Sequence, residues 1–354
     1  MHGTRAAAAI LFVSLSYWPH VSPGAEDADS GQLTGPHLGV LFDPSLRQFQ
    51  QIYGIPGSAT LGSPMDLGVS VSRALVSPDG DHALVELREG HEIGLIRFRD
   101  GRASTTLLAN APGAPDLMAL SPSGSAGALL YVTTGRIVVL SNLGMAHAQA
   151  REVAFPFGLA RPGLLAVSDD GAALLAVVSD GDENSLYTAA GDDLRLLGRF
   201  GRITSATFVA GTRRALVADA LVNRIYRINA ADAGAQLTPL ADERQGISGP
   251  VAVAASGDAT RVIVVNAAPQ GIVVLDEGRG DWSVVPCNCV PTRLQTLRGG
   301  ESFLLTADPA TPMWLLNTEA SSPRTLFVPA YREALGRTRD DRIRAPIGDG
   351  RARR

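Results

Sequence analysis

Short apolar runs alternate with clusters of Gly, Pro, Asp and Ser, and the pattern recurs along almost the whole chain. Six segments carry it. ALVSPDG at 74–80 runs into 83–87, MALSPSG at 118–124 into 128–132, and LAVSDDG at 165–171 into 173–177. ATFVAG at 206–211 runs into 215–218, VAVAASG at 251–257 into 262–265, and LQTLRGG at 294–300 into 302–306. The runs are short, rich in Val, Ile and Leu, and bounded by turn formers, as buried strands are. Ser77-Pro78-Asp79-Gly80 places proline where a type I turn fixes φ and glycine at the favoured last position. Beyond the first 25 residues, no apolar stretch holds a 3.6-residue period for three turns without Gly or Pro. The pattern predicts an all-β repeat.

Each apolar pair is followed by a more amphipathic one: 93–98 then 104–108, 137–140 then 152–155, 224–228 then 236–240, 271–275 then 282–285, and 313–316 then 325–328. The turn glycines at 80, 124, 171, 211, 257 and 299 recur every 40–47 residues. That period belongs to a four-stranded propeller blade. Strands packed on both faces read as continuous apolar runs, and strands facing water on one side alternate. The order of pairs therefore reads from the axis of a β-propeller to its rim. A further hairpin, 38–43 with 48–53, resembles an outer pair with no inner pair before it. The expected fold is a β-propeller of about seven blades, six clear repeats plus this N-terminal hairpin with a strand from 66–72. Six blades with the hairpin as a ring-closing extra is the alternative.

The SPDG turn before an apolar strand, and Leu130-Tyr-Val-Thr-Thr-Gly135 before Ile137-Val-Val-Leu140, resemble the repeats of bacterial WD40-like, YVTN-type propellers. The stretch VADALVNRIYRI at 217–228 is similar to the NHL repeat. The resemblance covers 38–330 and implies the architecture alone. The Gly-His and Trp-Asp signature of true WD40 repeats is missing, and Asp281-Trp282 runs in the reverse order.

The ends of the chain read differently. Arg5 followed by an apolar run over 6–18, then Pro19 and small residues, predicts a signal peptide over 1–25. The run is shorter than the ~20 residues of a membrane span. A short linker (26–37), the propeller (38–330) and an Arg-rich tail (331–354) with eight arginines and four acidic residues complete the expected organisation. The tail has no apolar face that would dock it, so disorder is expected there. A periplasmic or secreted, monomeric protein without a transmembrane span follows from this reading.

Composition narrows the chemistry. A formal charge of −4 and a pI near 5.9 do not favour nucleic acid as a partner. All cationic side chains are arginines, which excludes P-loop and Schiff-base lysine chemistry. There is no G-x-S-x-G elbow and no H-E-x-x-H helix, and His37, His82, His91 and His147 show no ligand spacing. Asp180, Asp182 and Asn184 have the D-x-D-x-N spacing with which a calcium loop begins, although Ser185 and Gly191 depart from the EF-hand. A solvated acidic turn is the plainer reading. Cys287 and Cys289 are either a local disulfide or two small buried residues. Propeller lactonases hold a divalent cation at the channel mouth, and by that resemblance Asp219, Asn223 and Asn266 are candidate ligands. The expected function is a non-enzymatic binding module for a protein or polymer partner, with no cofactor beyond the calcium candidate. A metal-dependent hydrolase of the lactonase type is the alternative.

Overall fold

A strand that is apolar on both faces needs cover on both, and here each sheet stands between two others. The computed structural model describes residues 35–330 apart from 100–101, 146, 157–160, 230–233, 268–270, 307–310 and 320–321. The expected signal peptide, the expected linker up to residue 34 and the Arg-rich tail lie outside the described residues.

Blade 1 contains β1 (His37–Asp43), β2 (Gln48–Ile55) and β3 (Ser58–Pro64). Blade 2 contains β4 (Val71–Val76), β5 (His82–Leu87), β6 (Ile93–Arg99) and β7 (Arg102–Leu107). Blade 3 contains β8 (Leu117–Leu120), β9 (Ala126–Tyr131), β10 (Arg136–Ser141) and β11 (Gln149–Ala154), and blade 4 contains β12 (Arg161–Val167), β13 (Ala173–Asp180), β14 (Glu183–Ala190) and β15 (Leu194–Phe200). Blade 5 is built from β16 (Ile203–Phe208), β17 (Ala215–Asp219), β18 (Arg224–Asn229) and β19 (Gln236–Ala241). Blade 6 has β20 (Pro250–Ala255), β21 (Arg261–Asn266), β22 (Ile272–Asp276) and β23 (Asp281–Val285). Blade 7 has β24 (Gln295–Thr296), β25 (Ser302–Leu304), β26 (Met313–Asn317) and β27 (Arg324–Val328). The chain is an all-β, seven-bladed β-propeller.

Period-2 alternation explains why the blades stand face to face. Along β13, Leu174, Ala176 and Val178 pack towards blade 3, while Ala173, Leu175 and Val177 pack towards blade 5. Each pair of neighbouring blades encloses one apolar cluster, and the last joins blade 7 back to blade 1 through Leu38, Leu41 and Ile52 against Leu297, Leu304 and Met313. Each fully buried Leu, Ile or Val contributes ~1.5–3 kcal/mol.

The strands follow one another from axis to rim in the expected order, and burial across a blade refines the reading of the inner pair. The innermost strand is not the most buried one: β4 is half-buried along most of its length, because one edge and part of each face look into the axial space. The second strand, β5, is the buried centre, and the outermost, β7, is largely exposed. By this measure β1 is a second strand, buried from Leu38 to Asp43. The N-terminal hairpin is thus the middle pair of blade 1. Its third strand is β3, and Val71 and Ser72, expected in this blade, open blade 2 instead.

Four of the turns between first and second strands are built the same way. Ser77, Ser121, Ser168 and Ser256 are buried, and each hydroxyl accepts the backbone N–H five residues on, at His82, Ala126, Ala173 and Arg261. The hydroxyl supplies the acceptor that the tight turn denies to the incoming strand. Glycines let neighbouring turns approach closely: the Gly257 N–H donates over 3.0 Å to the carbonyl of Gly300, whose φ is positive, linking blades 6 and 7.

Candidate functional site

Strands that run up and down in sequence send their loops to two faces. Turns between first and second strands, and between third and fourth, leave at one face. Turns between second and third strands, and the connections between blades, leave at the other. The second of these, the connection face, carries the exposed apolar loop tips Leu46, Val69, Leu221, Val222 and Val290, with Val290 75% and Leu221 67% exposed. On the opposite face, Met145 in the β10–β11 turn and Ile55 at the β2–β3 turn are exposed.

An axial cavity of about 630 Å³ runs between the innermost strands. Its walls are Ser72–Val76 of β4, Leu117–Leu120, Leu165–Val167, Ala206–Phe208 and the segment 293–296, with Phe42 and Pro44 from blade 1. Two arginines line it near the connection face. The Arg73 Nε donates to Glu86 over 2.5 Å, and its other nitrogens donate to the Pro115 and Asp116 carbonyls. His91 Nδ1 lies 2.9 Å from the second Glu86 oxygen. Burial alone would raise the Glu86 carboxyl, but Arg73 and His91 outweigh it and hold the pKa below the ordinary value. Arg293 is the second cation. Burial lowers its pKa, and Asp43 opposes that effect. Tyr131, beside this network, donates to the Pro112 carbonyl, and burial pushes its pKa up to about 12.

The residues singled out in the sequence do not gather at this cavity. Asp180 and Asp182 sit at the exposed hairpin turn between β13 and β14, where Gly181 supplies the positive φ. Asn184 is turned inward: its Oδ1 accepts from the Ile203 N–H at 2.7 Å and its Nδ2 donates to the Ser179 hydroxyl. The alternate oxygens therefore point apart.

Asp219 and Asn266 end the second strands of blades 5 and 6 and do equivalent work. Asp219 is buried and accepts from the Gly201, Arg202 and Leu221 N–H groups. Asn266 accepts from the Ser248 N–H and donates to the Gly246 carbonyl. Asn223 accepts from Gly249 N–H at 2.6 Å and donates to Glu243. All three tie blade-to-blade connections down. Among the described residues, no group of three or more His, Cys, Asp or Glu side chains is placed to hold a metal ion.

Cys287 and Cys289 are joined in a disulfide in the connection between blades 6 and 7, packed against the apolar cluster around Val285 and Phe303. Sequence reasoning missed Arg73 and Arg293. Each stands in or beside an otherwise apolar inner strand, and that is the one signal that could have marked them.

No family model matches the chain, and no curated protein sequence matches it. Solved structures do share its fold. A functionally unknown protein from Desulfotomaculum acetoxidans superposes with a TM-score of 0.54 at 13% identity, covering 84% of this chain and 100% of that one. A putative 6-phosphogluconolactonase from Bacteroides fragilis gives 0.52 at 13%, over 83% and 95%. A protein from Lactobacillus plantarum gives 0.52 at 14%, over 83% and 96%. At these identities the likeness is one of fold alone.

Proposed function

We propose that this propeller is an exported, non-enzymatic binding module that docks a protein or polymer partner on its connection face. The observation that carries the reading is the display of Leu46, Val69, Leu221, Val222 and Val290 on the loops of the connection face. Scattered exposed apolar residues are ordinary, but their concentration on the loops of one face marks an interaction surface. Loops held by a rigid scaffold are where binding residues concentrate, and Asp219, Asn223 and Asn266 supply that rigidity here. Their side-chain oxygens are spent on backbone N–H groups, which favours the binding reading over a lactonase-type hydrolase.

The test compares wild type with a Leu221→Asp/Val290→Asp variant. The immobilised proteins are offered the exported protein fraction of the source cell. A partner retained by wild type and lost by the variant, at unchanged Tm, is the expected result. Metal-dependent turnover of lactone substrates by the purified protein, with no partner retained, would overturn it.

A further inference from the structure

Connections between blades are tied down by hydrogen bonds. From β19 to β20, the Asp242 carboxylate accepts the Arg244 N–H, and Asn223 and Asn266 accept the Gly249 and Ser248 N–H groups. From β7 to β8, the Leu108, Ala111, Ala114 and Asp116 N–H groups all reach backbone carbonyls. From β15 to β16, Asp219 accepts the Gly201 and Arg202 N–H groups. The connection from β23 to β24 is built differently. Its Pro286 carbonyl accepts from the Thr325 hydroxyl, and its Thr292 and Arg293 N–H groups donate to the Leu305 carbonyl. Between those anchors, among the described residues, the one bonded tie for 287–291 is the Cys287–Cys289 bridge.

The bridge holds the two Cα atoms 5.1 Å apart, so the chain is bent at Asn288. Two residue steps of extended chain would span ~6.6–7.2 Å. Global stability does not account for the bond, because a sequence separation of 2 removes little entropy from the unfolded chain. It also lies at the surface. Both cysteines are half-buried, and Asn288 and Val290 beside them are exposed. Unlike a hydrogen bond, it is a tie that thiol chemistry opens and recloses.

The bend sets the course of two functional side chains. Val290, 75% exposed, follows Cys289 directly and is one of the apolar tips of the connection face. Arg293, a little further on, lines the axial cavity. We infer that Cys287–Cys289 is a redox modification site whose reduction by a dithiol unfastens this loop and weakens docking through Val290. The inference rests on the binding reading above and names a control on it. A thiolate of the dithiol attacks one cysteine sulfur, which breaks the Cys287–Cys289 bond and forms a mixed disulfide. The second thiol of the reductant then closes on its own partner sulfur and releases that cysteine. Two electrons and two protons pass to the protein, which gains two thiols, and the dithiol leaves as its disulfide.

The experiment treats the full chain with dithiothreitol without denaturant, counts thiols by alkylation and mass spectrometry, and maps amide exchange. Two thiols should form. Exchange across 287–293 should quicken tenfold or more, while Val264 and Phe303 keep their rates, and glutathione disulfide should restore the slow exchange. Cys287→Ser/Cys289→Ser should exchange like the reduced chain and ignore dithiothreitol. Wild type is itself measured in both states, so the test does not depend on that variant folding. The partner retained in the capture experiment above should be held tenfold or more weakly after reduction, at a Tm within a few degrees. A bridge that stays closed until denaturant is added overturns the site, and so does exchange that reduction leaves unchanged. A partner held equally by both forms overturns the control of docking. If wild type retains no partner, the binding reading fails and the control of docking falls with it, while thiol count and loop exchange still decide the redox site.

Discussion

His82 joins two blades: its Nε2 lies 2.9 Å from the Gly124 carbonyl oxygen of blade 3, and its Nδ1 lies 2.6 Å from the carboxylate of Asp81. Burial alone would lower the histidine pKa, but hydrogen bonds to Asp81 and to Gly124 raise it above 6.5. Arg97, the other charge acting on it, opposes that rise. A raised pKa in the folded state means the protonated form is the stabilised one. Its contribution is complete below the unfolded pKa near 6.5 and is lost as pH rises through the higher folded value. Thermal unfolding between about pH 5 and 9 should show Tm falling on the alkaline side, and His82→Gln should flatten that fall. An unchanged slope in the variant would exclude His82 as its source.

Asp81 governs the acid side. The hydrogen bond from His82 brings its pKa down from 3.8 to about 2, aided by Ser77 and opposed by burial. A depressed carboxylate stabilises the fold above its unfolded pKa, and that stabilisation is lost as pH falls from 3.8 through about 2. Asp81→Asn should therefore lose less stability than wild type over that range. Acid titration followed by tryptophan fluorescence measures it.

Gly299 and Gly300 form a matched pair for testing close approach between turns. Both have positive φ, at 83° and 76°. A Cβ on Gly299 meets nothing within 4 Å, whereas one on Gly300 would lie 2.5 Å from the Gly257 Cα. Gly299→Ala should cost the left-handed backbone penalty of ~1–2 kcal/mol. Gly300→Ala should cost visibly more, because blades 6 and 7 must separate. Equal losses in denaturant unfolding would refute the steric account.

Ser168 tests the shared turn. It is fully buried, accepts the Ala173 N–H at 2.9 Å and donates to Asp170 at 2.6 Å. Removing the hydroxyl leaves a buried donor without its partner, so Ser168→Ala should destabilise by ~1–3 kcal/mol. Ser256→Ala, in the equivalent turn of blade 6, should give a similar loss. An unfolding midpoint within error of wild type in both would contradict the shared role.

Reduction of Cys287–Cys289 should change stability little. The bridge spans a sequence separation of 2, so it removes little chain entropy from the unfolded state. Thermal melts with and without a thiol reductant should agree within a few degrees.

Much of this molecule was legible in the order of its residues. Apolar runs ending in Ser-Pro-Asp-Gly or its variants encode strands and tight turns, because alternation and turn chemistry act over fewer than ten residues or so. The repeat period then implies blades, and blades imply a ring. What the tertiary structure decided lies between residues far apart in the chain. Gln295 reaches Val40 across a separation of 255 residues, and Arg298 N–H reaches the Leu38 carbonyl. Such pairings leave no local pattern to read. The same holds for the oxygens of Asp219, Asn223 and Asn266: their residue types suggested metal ligands, and the fold spends them on backbone donors that only ring closure brings near. Sequence determined the strands and their repeat, while packing of the seventh blade against the first, through Leu38, Leu41 and Ile52 against Leu297, Leu304 and Met313, determined how the ring closes.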